Sequence, residues 1–139
     1  MTQIDFYVHV ESTLHTLCTL AAKALAKDMR VMILTPDAQT TERVDKMLWS
    51  QPAIGFLPHC RAAHRLAPVT PIILDHLPDP IVHEQVLVNL CPECPAVFSR
   101  FERVIEIVGL DATERDLART RFRFYRDRGY DIRTHDLAS

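Results

Sequence analysis

Short apolar runs alternate with longer amphipathic stretches along the chain. Residues 4–10 (IDFYVHV) are rich in β-branched and aromatic side chains and predict a strand. A helix is predicted to follow, capped by Ser12 and running to about Lys27. Its apolar face repeats at helical spacing and consists of Leu14, Leu17, Cys18, Ala21 and Leu25. The N-terminal region thus predicts one strand followed by one amphipathic helix.

A second strand and helix come next. Residues 31–34 (VMIL) form a continuous apolar run, which is typical of a strand covered on both faces. Residues 35–37 (TPD) open a helix whose buried stripe is predicted to be Val44, Met47 and Leu48. The order strand–helix–strand–helix predicts that these strands pair in parallel through right-handed crossovers.

The middle of the chain is irregular, because residues 52–80 hold six of the nine prolines. Within it, only residues 71–74 (PIIL) have the apolar, β-branched character of a strand. Residues 86–90 (VLVNL) predict a further strand. Residues 95–102 predict a short helix whose inward residues are Val97, Phe98 and Phe101.

The C-terminal part predicts a strand, a long helix and an edge strand. The strand covers residues 104–108, and Asp111 then caps the helix, with Glu114 placed to complete a capping box. Residues 130–133 (YDIR) predict the edge strand. The whole pattern predicts a single three-layer α/β domain over residues 1–139, with a mainly parallel sheet as in Rossmann-like nucleotide-binding folds.

The phosphate-binding chemistry of such folds is missing from the sequence. Phosphate loops need glycines so that backbone N–H groups can approach the ligand closely. This chain has three glycines, at positions 55, 109 and 129, and contains neither G-x-G-x-x-G nor a Walker A pattern. We therefore expect no nucleotide cofactor. A G-x-S-x-G nucleophile motif is absent too, so no catalytic residue is predicted.

Cysteine and histidine clusters leave metal or thiol chemistry as an alternative. Cys91 and Cys94 form a C-x-x-C pair, and His59, Cys60 and His64 offer further ligands. Two such groups could make a tetrahedral zinc site, and a C-x-x-C pair could be a redox dithiol. The opposing interpretation is a loop with incidental thiols, since one C-x-x-C has low specificity. On that interpretation the protein holds no metal and no cofactor.

Charge is distributed unevenly although the chain as a whole is nearly neutral. The formal net charge is −2, yet the segment from Arg115 to Arg133 carries seven arginines against three aspartates. This distribution favours a localised anion site over a broad nucleic-acid-binding surface. No signal peptide or apolar run of about 20 residues is visible, so we expect a cytoplasmic protein with reduced cysteines.

The last helix concentrates this charge on one face. Its core face is predicted to be Leu117, Ala118, Phe124 and Tyr125. The opposite side gathers Arg115, Arg119 and Arg126, with Arg123 at the border and Phe122 among the arginines. An aromatic ring in a basic cluster suits an acidic peptide with a hydrophobic end. Two alternatives remain. One is a solvated basic face with Phe122 packed on a neighbouring loop, and the other is direct nucleic-acid binding, which would depend steeply on salt.

A second distinctive block is residues 48–60 (LWSQPAIGFLPHC). It holds the only tryptophan, Trp49, at the predicted end of the second helix, and Phe56 and Leu57 lie on a proline-bounded segment. Large apolar groups on such a segment are either core plugs or interface anchors.

These two blocks give the chain its resemblance to a known family. The patterns LW-x₆-FLPH and R-x-R-[FY]-x-x-Y-R-x-x-G-[FY], with IDFY, LAAKAL and RVMILTPD, resemble the chi subunit of bacterial DNA polymerase III over nearly the whole length. The resemblance implies a non-catalytic clamp-loader accessory subunit with a nucleotide-binding-like fold. It implies two partners: the psi subunit, and the acidic, Phe-ended C-terminal tail of single-stranded DNA-binding protein, so that DNA is engaged indirectly.

The same resemblance implies particular site residues. Those expected to bind the tail are Val108, Arg119, Phe122 and Arg123, and those expected to face psi are Trp49 and Phe56. Arg123 stands where the family usually has Lys, which keeps the charge. Residues 68–80 and the Cys91–Cys94 pair match nothing distinctive in the family.

Overall fold

A computed structural model of the protein describes residues 2–50, 57–77 and 80–137. In these ranges the strands are β1 (Gln3–Val10), β2 (Val31–Leu34), β3 (His59–Cys60), β4 (Ile72–Asp75), β5 (Val86–Asn89), β6 (Arg103–Gly109) and β7 (Asp131–Asp136). The helices are α1 (Thr13–Ala26), α2 (Ala38–Ser50) and α3 (Ala112–Asp127). Two 3₁₀ turns lie at Ala67–Val69 and Phe98–Arg100.

The strands of the described residues form one sheet in the order β3-β4-β2-β5-β6-β1-β7. Every pair of neighbours in it is parallel. The predicted parallel α/β class is therefore confirmed. β1 and β2 are not neighbours, however, because β5 and β6 lie between them. β1 lies next to the edge strand β7 and pairs with both β6 and β7.

Alternation along the strands divides the core into two apolar layers. In β2, Val31 and Ile33 pack with α1 and α2, whereas Met32 and Leu34 face the opposite layer. That opposite layer is completed by α3 and by the 3₁₀ turn at Phe98–Arg100. The four residues of β2 are all buried, as expected for a strand with helical cover on both faces. The molecule thus has the predicted three layers.

Side-chain caps fix the first turns of the three helices. Ser12 Oγ accepts from the N–H of His15 at 3.2 Å, and Asp37 Oδ1 accepts from the N–H of Thr40 at 2.7 Å. In α3, Asp111 Oδ2 accepts from the N–H of Glu114 at 3.1 Å. Each cap satisfies a backbone donor that has no partner inside its helix.

The predicted capping box of α3 is corrected in one detail. The carboxylate of Glu114 does not return to the N-cap but accepts from the N–H of Gly109 at 2.8 Å. Glu114 thereby ties the first turn of α3 to the end of β6. A Cβ on Gly109 would lie 2.8 Å from this carboxylate, so the close approach explains the glycine.

Two sequence predictions about secondary structure are wrong. Residues 95–102 form no α-helix: they contain only the 3₁₀ turn at Phe98–Arg100, although Phe98 and Phe101 are buried as expected. The proline-rich segment holds a second strand besides β4, the two-residue β3. β3 is specified by pairing with β4 rather than by local apolar pattern, since both its residues are only half-buried.

The core face of α3 is rotated from its predicted position. Leu117, expected in the core, is 40% exposed, whereas Arg121 is 5% exposed. Ala118 and Tyr125 are buried as predicted, and Phe122 is half-buried against the same layer. The reason is a buried carboxylate beneath the helix, which makes a charged residue the better occupant of the inward position.

Candidate peptide-binding site

A buried ion pair sets which side of α3 faces the sheet. Arg121 Nε donates to Glu106 Oε1 at 3.0 Å, and both side chains are almost fully buried. Arg121 Nη1 also donates to the carbonyl of Pro92 at 2.9 Å. With Arg121 held inward, the positions around it on the helix have fixed directions, and Arg119, Arg123 and Arg126 point to solvent.

Two neutral donors complete the environment of the Glu106 carboxylate. Asn89 Nδ2 donates to Glu106 Oε2 at 3.0 Å, and the hydroxyl of Tyr125 donates to the same oxygen at 2.8 Å. Burial raises the pKa of Glu106, and Arg121 with these hydrogen bonds opposes that rise. The network joins β5, β6 and α3, so it is a structural network that orients the helix.

A cavity of about 240 Å³ lies between α3 and the C-terminal halves of β1, β6 and β7. Its apolar walls are Phe6, Val8, Val108, Ala118 and Phe122. Its polar rim is His9, Arg115, Arg119 and Thr134. The cavity therefore combines a hydrophobic interior with two cationic side chains at its mouth, which suits a ligand that is apolar at its tip and anionic beside it.

Phe122 joins the core to the exposed basic face of α3. Its ring centroid lies 5.4 Å from that of Phe6, at an interplanar angle of 60°. The ring also lines the cavity, together with Arg119. Phe122 is thus neither a solvated residue nor a loop contact, because the partner of its ring is a core residue of β1.

Arg119 has an intramolecular partner in the free protein, the carboxylate of Asp116 one turn earlier. Both side chains are exposed, so the pair contributes little to stability and can exchange for another carboxylate. Arg119 can therefore turn to a bound anion at small cost.

A second, shallower groove of about 350 Å³ continues from the cavity along α3. It is lined by Arg119, Phe122, Arg123 and Arg126. Arg119 and Phe122 belong to both sites, so the cavity and the groove form one continuous surface, which we call the α3 surface.

All four residues implied for the tail site line the α3 surface. Val108, Arg119 and Phe122 line the cavity itself, and Arg123 lies in the adjoining groove. Sequence reasoning missed Phe6, Val8, His9 and Thr134, which come from β1 and β7. The alternation in β1 marked Phe6 and Val8 as sharing one face, but the neighbours of that face depend on strand order.

The rim residue His9 has an unusual backbone. Its φ is 56°, in the left-handed region, and it lies where the pairing of β1 with β6 shifts register between Tyr7 and Val10. Its Nδ1 is 2.8 Å from Asp136 Oδ1 on β7. This contact joins the ends of β1 and β7 at the mouth of the cavity.

Trp49 lies on the last turn of α2 and is 62% exposed. Its ring meets the ring of His59 edge-on at a centroid distance of 5.5 Å. His59 is itself held between the carbonyl of Leu57 at 2.7 Å and Asp45 at 2.8 Å. Trp49 is therefore a surface residue on a firm support, whereas Phe56 lies outside the described residues.

The cysteines and histidines singled out in the sequence do not assemble into a ligand set. Across the described ranges 2–50, 57–77 and 80–137, no three Cys, His, Asp or Glu side chains form a group that could hold a metal ion. Burial raises the pKa of Cys91 and of Cys94 to about 11. Both are then neutral thiols at pH 7, the form that is a poor nucleophile and a poor ligand.

At the edge of the sheet where such folds bind phosphates, the helix N-termini are capped by the protein's own side chains. A cavity of about 450 Å³ lies there, beside the starts of α1, α2 and α3. The caps Ser12, Asp37 and Asp111 already accept from the N–H groups that a phosphate would use.

Among the described helices none is long and apolar enough to cross a membrane.

Comparison with known proteins gives a consistent family assignment. The family model described as DNA polymerase III chi subunit, HolC, matches residues 1–133. DNA polymerase III subunit chi of Pseudomonas aeruginosa is 35% identical over 141 residues, which cover 99% of this chain and 98% of that protein. The corresponding subunit of Escherichia coli is 27% identical, covering 84% of this chain and 80% of its own length. That of Haemophilus influenzae is 26% identical, with 96% of each chain covered. The chain belongs to the DNA polymerase III chi subunit family.

Proposed function

We propose that this protein is a non-catalytic, single-domain subunit of the DNA polymerase III clamp-loader complex that binds two other proteins. One is the acidic C-terminal tail of single-stranded DNA-binding protein, held on the α3 surface. The other is the psi subunit, held on the surface around Trp49. In this role the protein connects the replication machinery to coated single-stranded DNA and needs no cofactor.

The observation that carries the proposal is the composition of the cavity. A phenylalanine ring fits a space of about 240 Å³ walled by Phe6, Val8 and Val108. Arg115 and Arg119 stand at its mouth, where the terminal carboxylate of a peptide would lie if its last side chain filled the cavity. Guanidinium groups bind carboxylates through paired, charge-assisted hydrogen bonds.

The charge pattern favours a peptide over DNA as the direct ligand. The basic residues form one narrow strip, and two of them have acidic neighbours: Arg119 contacts Asp116 and Arg126 contacts Asp127. The rest of the chain is acidic enough to give a net charge of −2. A duplex or a long single strand would extend beyond the basic strip and meet the acidic surface around it, whereas a short peptide would not.

Titration with an acidic peptide ending in Phe tests the proposal. We expect wild-type protein to bind it, and Arg119→Ala to bind it roughly 10- to 100-fold more weakly, since a charge-assisted hydrogen bond is worth about 1.5–3 kcal/mol. Deleting the terminal Phe should weaken binding at least as much, because the cavity would then be empty. Added salt should weaken it as well.

Arg65→Ala is the matched control, since Arg65 is an exposed arginine remote in sequence from α3. It removes the same charge and should leave peptide affinity unchanged. Equal affinity of wild type and Arg119→Ala for peptides with and without Phe would reject the tail site. Tight, steeply salt-dependent binding of bare DNA would favour the nucleic-acid-binding alternative instead.

A further inference from the structure

We infer that a pocket between the end of α1 and the start of β6 binds the phosphate group of a small organic phosphate. The pocket, which we call the α1 pocket, has a volume of about 200 Å³, and its basic lining consists of Lys23, Lys27 and Arg103. Among the described residues that line it there is no aspartate and no glutamate. The site goes beyond the proposed function, because neither of the two proposed partners uses it.

The α1 pocket is separate from both partner surfaces. Ile105 of β6 lines the pocket and packs in the layer of α1 and α2, whereas Val104 and Val108 of the same strand face the layer of α3. The pocket and the α3 surface therefore lie on opposite faces of the sheet. Its described lining includes Tyr7 of β1 but no residue of α2, the helix that carries Trp49.

Arg103 is held in place as an anion receptor. Its Nε donates to Asp5 Oδ2 at 2.6 Å, and the Asp5 side chain is fully buried whereas that of Arg103 is 34% exposed. The terminal nitrogens Nη1 and Nη2 have no hydrogen-bond partner among the described residues. A guanidinium fixed at one nitrogen in this way presents its remaining donors as a planar fork, the geometry that pairs with two phosphate oxygens.

The two lysines add positive charge that no carboxylate of the described residues neutralises. Lys23 and Lys27 are four positions apart at the end of α1, so they lie on one side of the helix, and neither is in an ion pair within the described ranges. The negative end of the helix dipole favours lysines at this end. It does not account for a third cation that comes from β6. Like charges at this spacing repel one another, and a bound anion would relieve the repulsion.

The remaining lining favours a phosphate with a small organic group attached. A phosphate ester carries nearly two negative charges at pH 7 and three acceptor oxygens, which suits three cations better than a single carboxylate does. The volume is larger than one phosphate group, and Leu20, Met29 and Ile105 provide an apolar wall for the carbon atoms bound to it. A nucleic-acid strand fits less well. It would extend past the pocket and meet the exposed carboxylates of Asp28 and Glu102, which directly neighbour Lys27 and Arg103 in the chain.

Calorimetric titration of the whole chain with glycerol 3-phosphate, and with glycerol as the uncharged control, tests the site. We expect the phosphate to bind and glycerol not to bind. Lys23→Gln/Lys27→Gln should weaken phosphate binding by about tenfold or more, because two charge-assisted contacts are lost. Lys46→Gln is the matched control, since Lys46 is an exposed lysine of α2 and should not affect binding. Arg103 stays unchanged in these variants, because the buried carboxylate of Asp5 needs it.

The unaltered chain allows a second measurement. Lys23, Lys27 and Lys46 are the only lysines in the sequence, so acetylation followed by mass spectrometry reports on each of them. We expect glycerol 3-phosphate to slow acetylation of Lys23 and Lys27 several-fold and to leave Lys46 unaffected. This result does not depend on whether a variant folds.

Three outcomes would overturn the inference. One is unchanged acetylation of Lys23 and Lys27 in the presence of glycerol 3-phosphate. Another is binding that Lys23→Gln/Lys27→Gln leaves intact but Arg119→Ala removes, which would place the anion on the α3 surface instead. The third is protection of the two lysines by an oligothymidylate strand but not by glycerol 3-phosphate, which would make the site a nucleic-acid contact. None of these outcomes bears on the proposed tail site, which is tested with its own peptide.

Discussion

At the scale of single residues, Arg121 determines how α3 is oriented, although its burial could not be predicted from the local sequence. Arg121 is one of seven arginines between positions 115 and 133, and nothing in the local pattern separates it from the exposed ones. Only the presence of Glu106 on the neighbouring strand makes it a buried partner. Orientation of the whole basic strip depends on this pair, since a helix that turned Arg121 outward would turn Phe122 away from Phe6.

Replacing Arg121 with Met should be strongly destabilising. The change leaves the Glu106 carboxylate buried without its cation, and breaking a buried ion pair in this way costs about 3–5 kcal/mol. Urea unfolding of wild type and Arg121→Met measures the loss. The double variant Glu106→Gln/Arg121→Met is the control and should recover part of the stability, because Gln can keep the hydrogen bond from Tyr125. Equal stability of wild type and Arg121→Met would contradict the structural role of the pair.

At the scale of elements, the sequence predicted where helices begin but not which residues of other elements contact those ends. Ser12 and Asp111 were identifiable as caps because capping depends on neighbours within three residues. The Glu114 contact to Gly109 was not, because it reaches back beyond the helix into β6. The missing helix at residues 95–102 has the same origin: Phe98 and Phe101 are buried by packing against distant elements rather than by a local helix.

Two neighbouring residues at the end of α2 allow a test of whether Trp49 is an interface anchor or a core plug. Trp49 and Leu48 are adjacent, yet Leu48 is fully buried and Trp49 is exposed. We expect Trp49→Ala to change the melting temperature little and to abolish capture of a psi-like partner. Leu48→Ala should instead cost about 2–5 kcal/mol of stability, since it leaves a core cavity.

The readouts are thermal melting and pulldown with purified partner. A large loss of melting temperature in Trp49→Ala would show that this side chain serves the fold, and unchanged partner capture would remove it from the interface.

At the scale of the whole molecule, one buried histidine couples global stability to pH. His83 is 9% exposed, and neither ring nitrogen has a hydrogen-bond partner among the described residues. Burial, with Arg30 nearby, lowers the pKa of His83 to about 4 from its ordinary value of 6.5. The neutral ring is therefore favoured by folding. The contribution of the neutral His83 ring to stability is fully present above pH 6.5. It is lost as the pH drops from 6.5 towards 4, because the unfolded chain takes up the proton first.

Urea unfolding at pH 7.5, 6 and 5 should reveal this linkage. The loss approaches roughly 3 kcal/mol by pH 4, at about 1.4 kcal/mol per pKa unit. His83→Leu should remove this part of the pH dependence, whereas the exposed control His15→Gln should keep it. Identical pH profiles for wild type and His83→Leu would contradict the assignment.

Much of this protein was determined by its sequence alone. Apolar runs and caps act over a few residues, so they specified β1, β2, α1 and α2 and the parallel α/β class. The scarcity of glycine argued against a phosphate loop, because such a loop is also a motif of a few consecutive residues. The family motifs were equally legible, because they are fixed patterns of residue types.

Only the tertiary structure decided how these parts meet. The sheet order puts β1 between β6 and β7, and that order brings Phe6, Val8 and Thr134 to the cavity beside Val108. The inward turn of Arg121 then directs Phe122 to the same cavity. Strand order depends on contacts between residues about a hundred positions apart, such as the pairing of Gln3 with Arg103. The rotation of α3 depends on the ion pair between Arg121 and Glu106, which lie on different elements. A local pattern carries no information about such pairs, so the sequence supplied the site residues of β6 and α3 but not those that β1 and β7 add to the cavity.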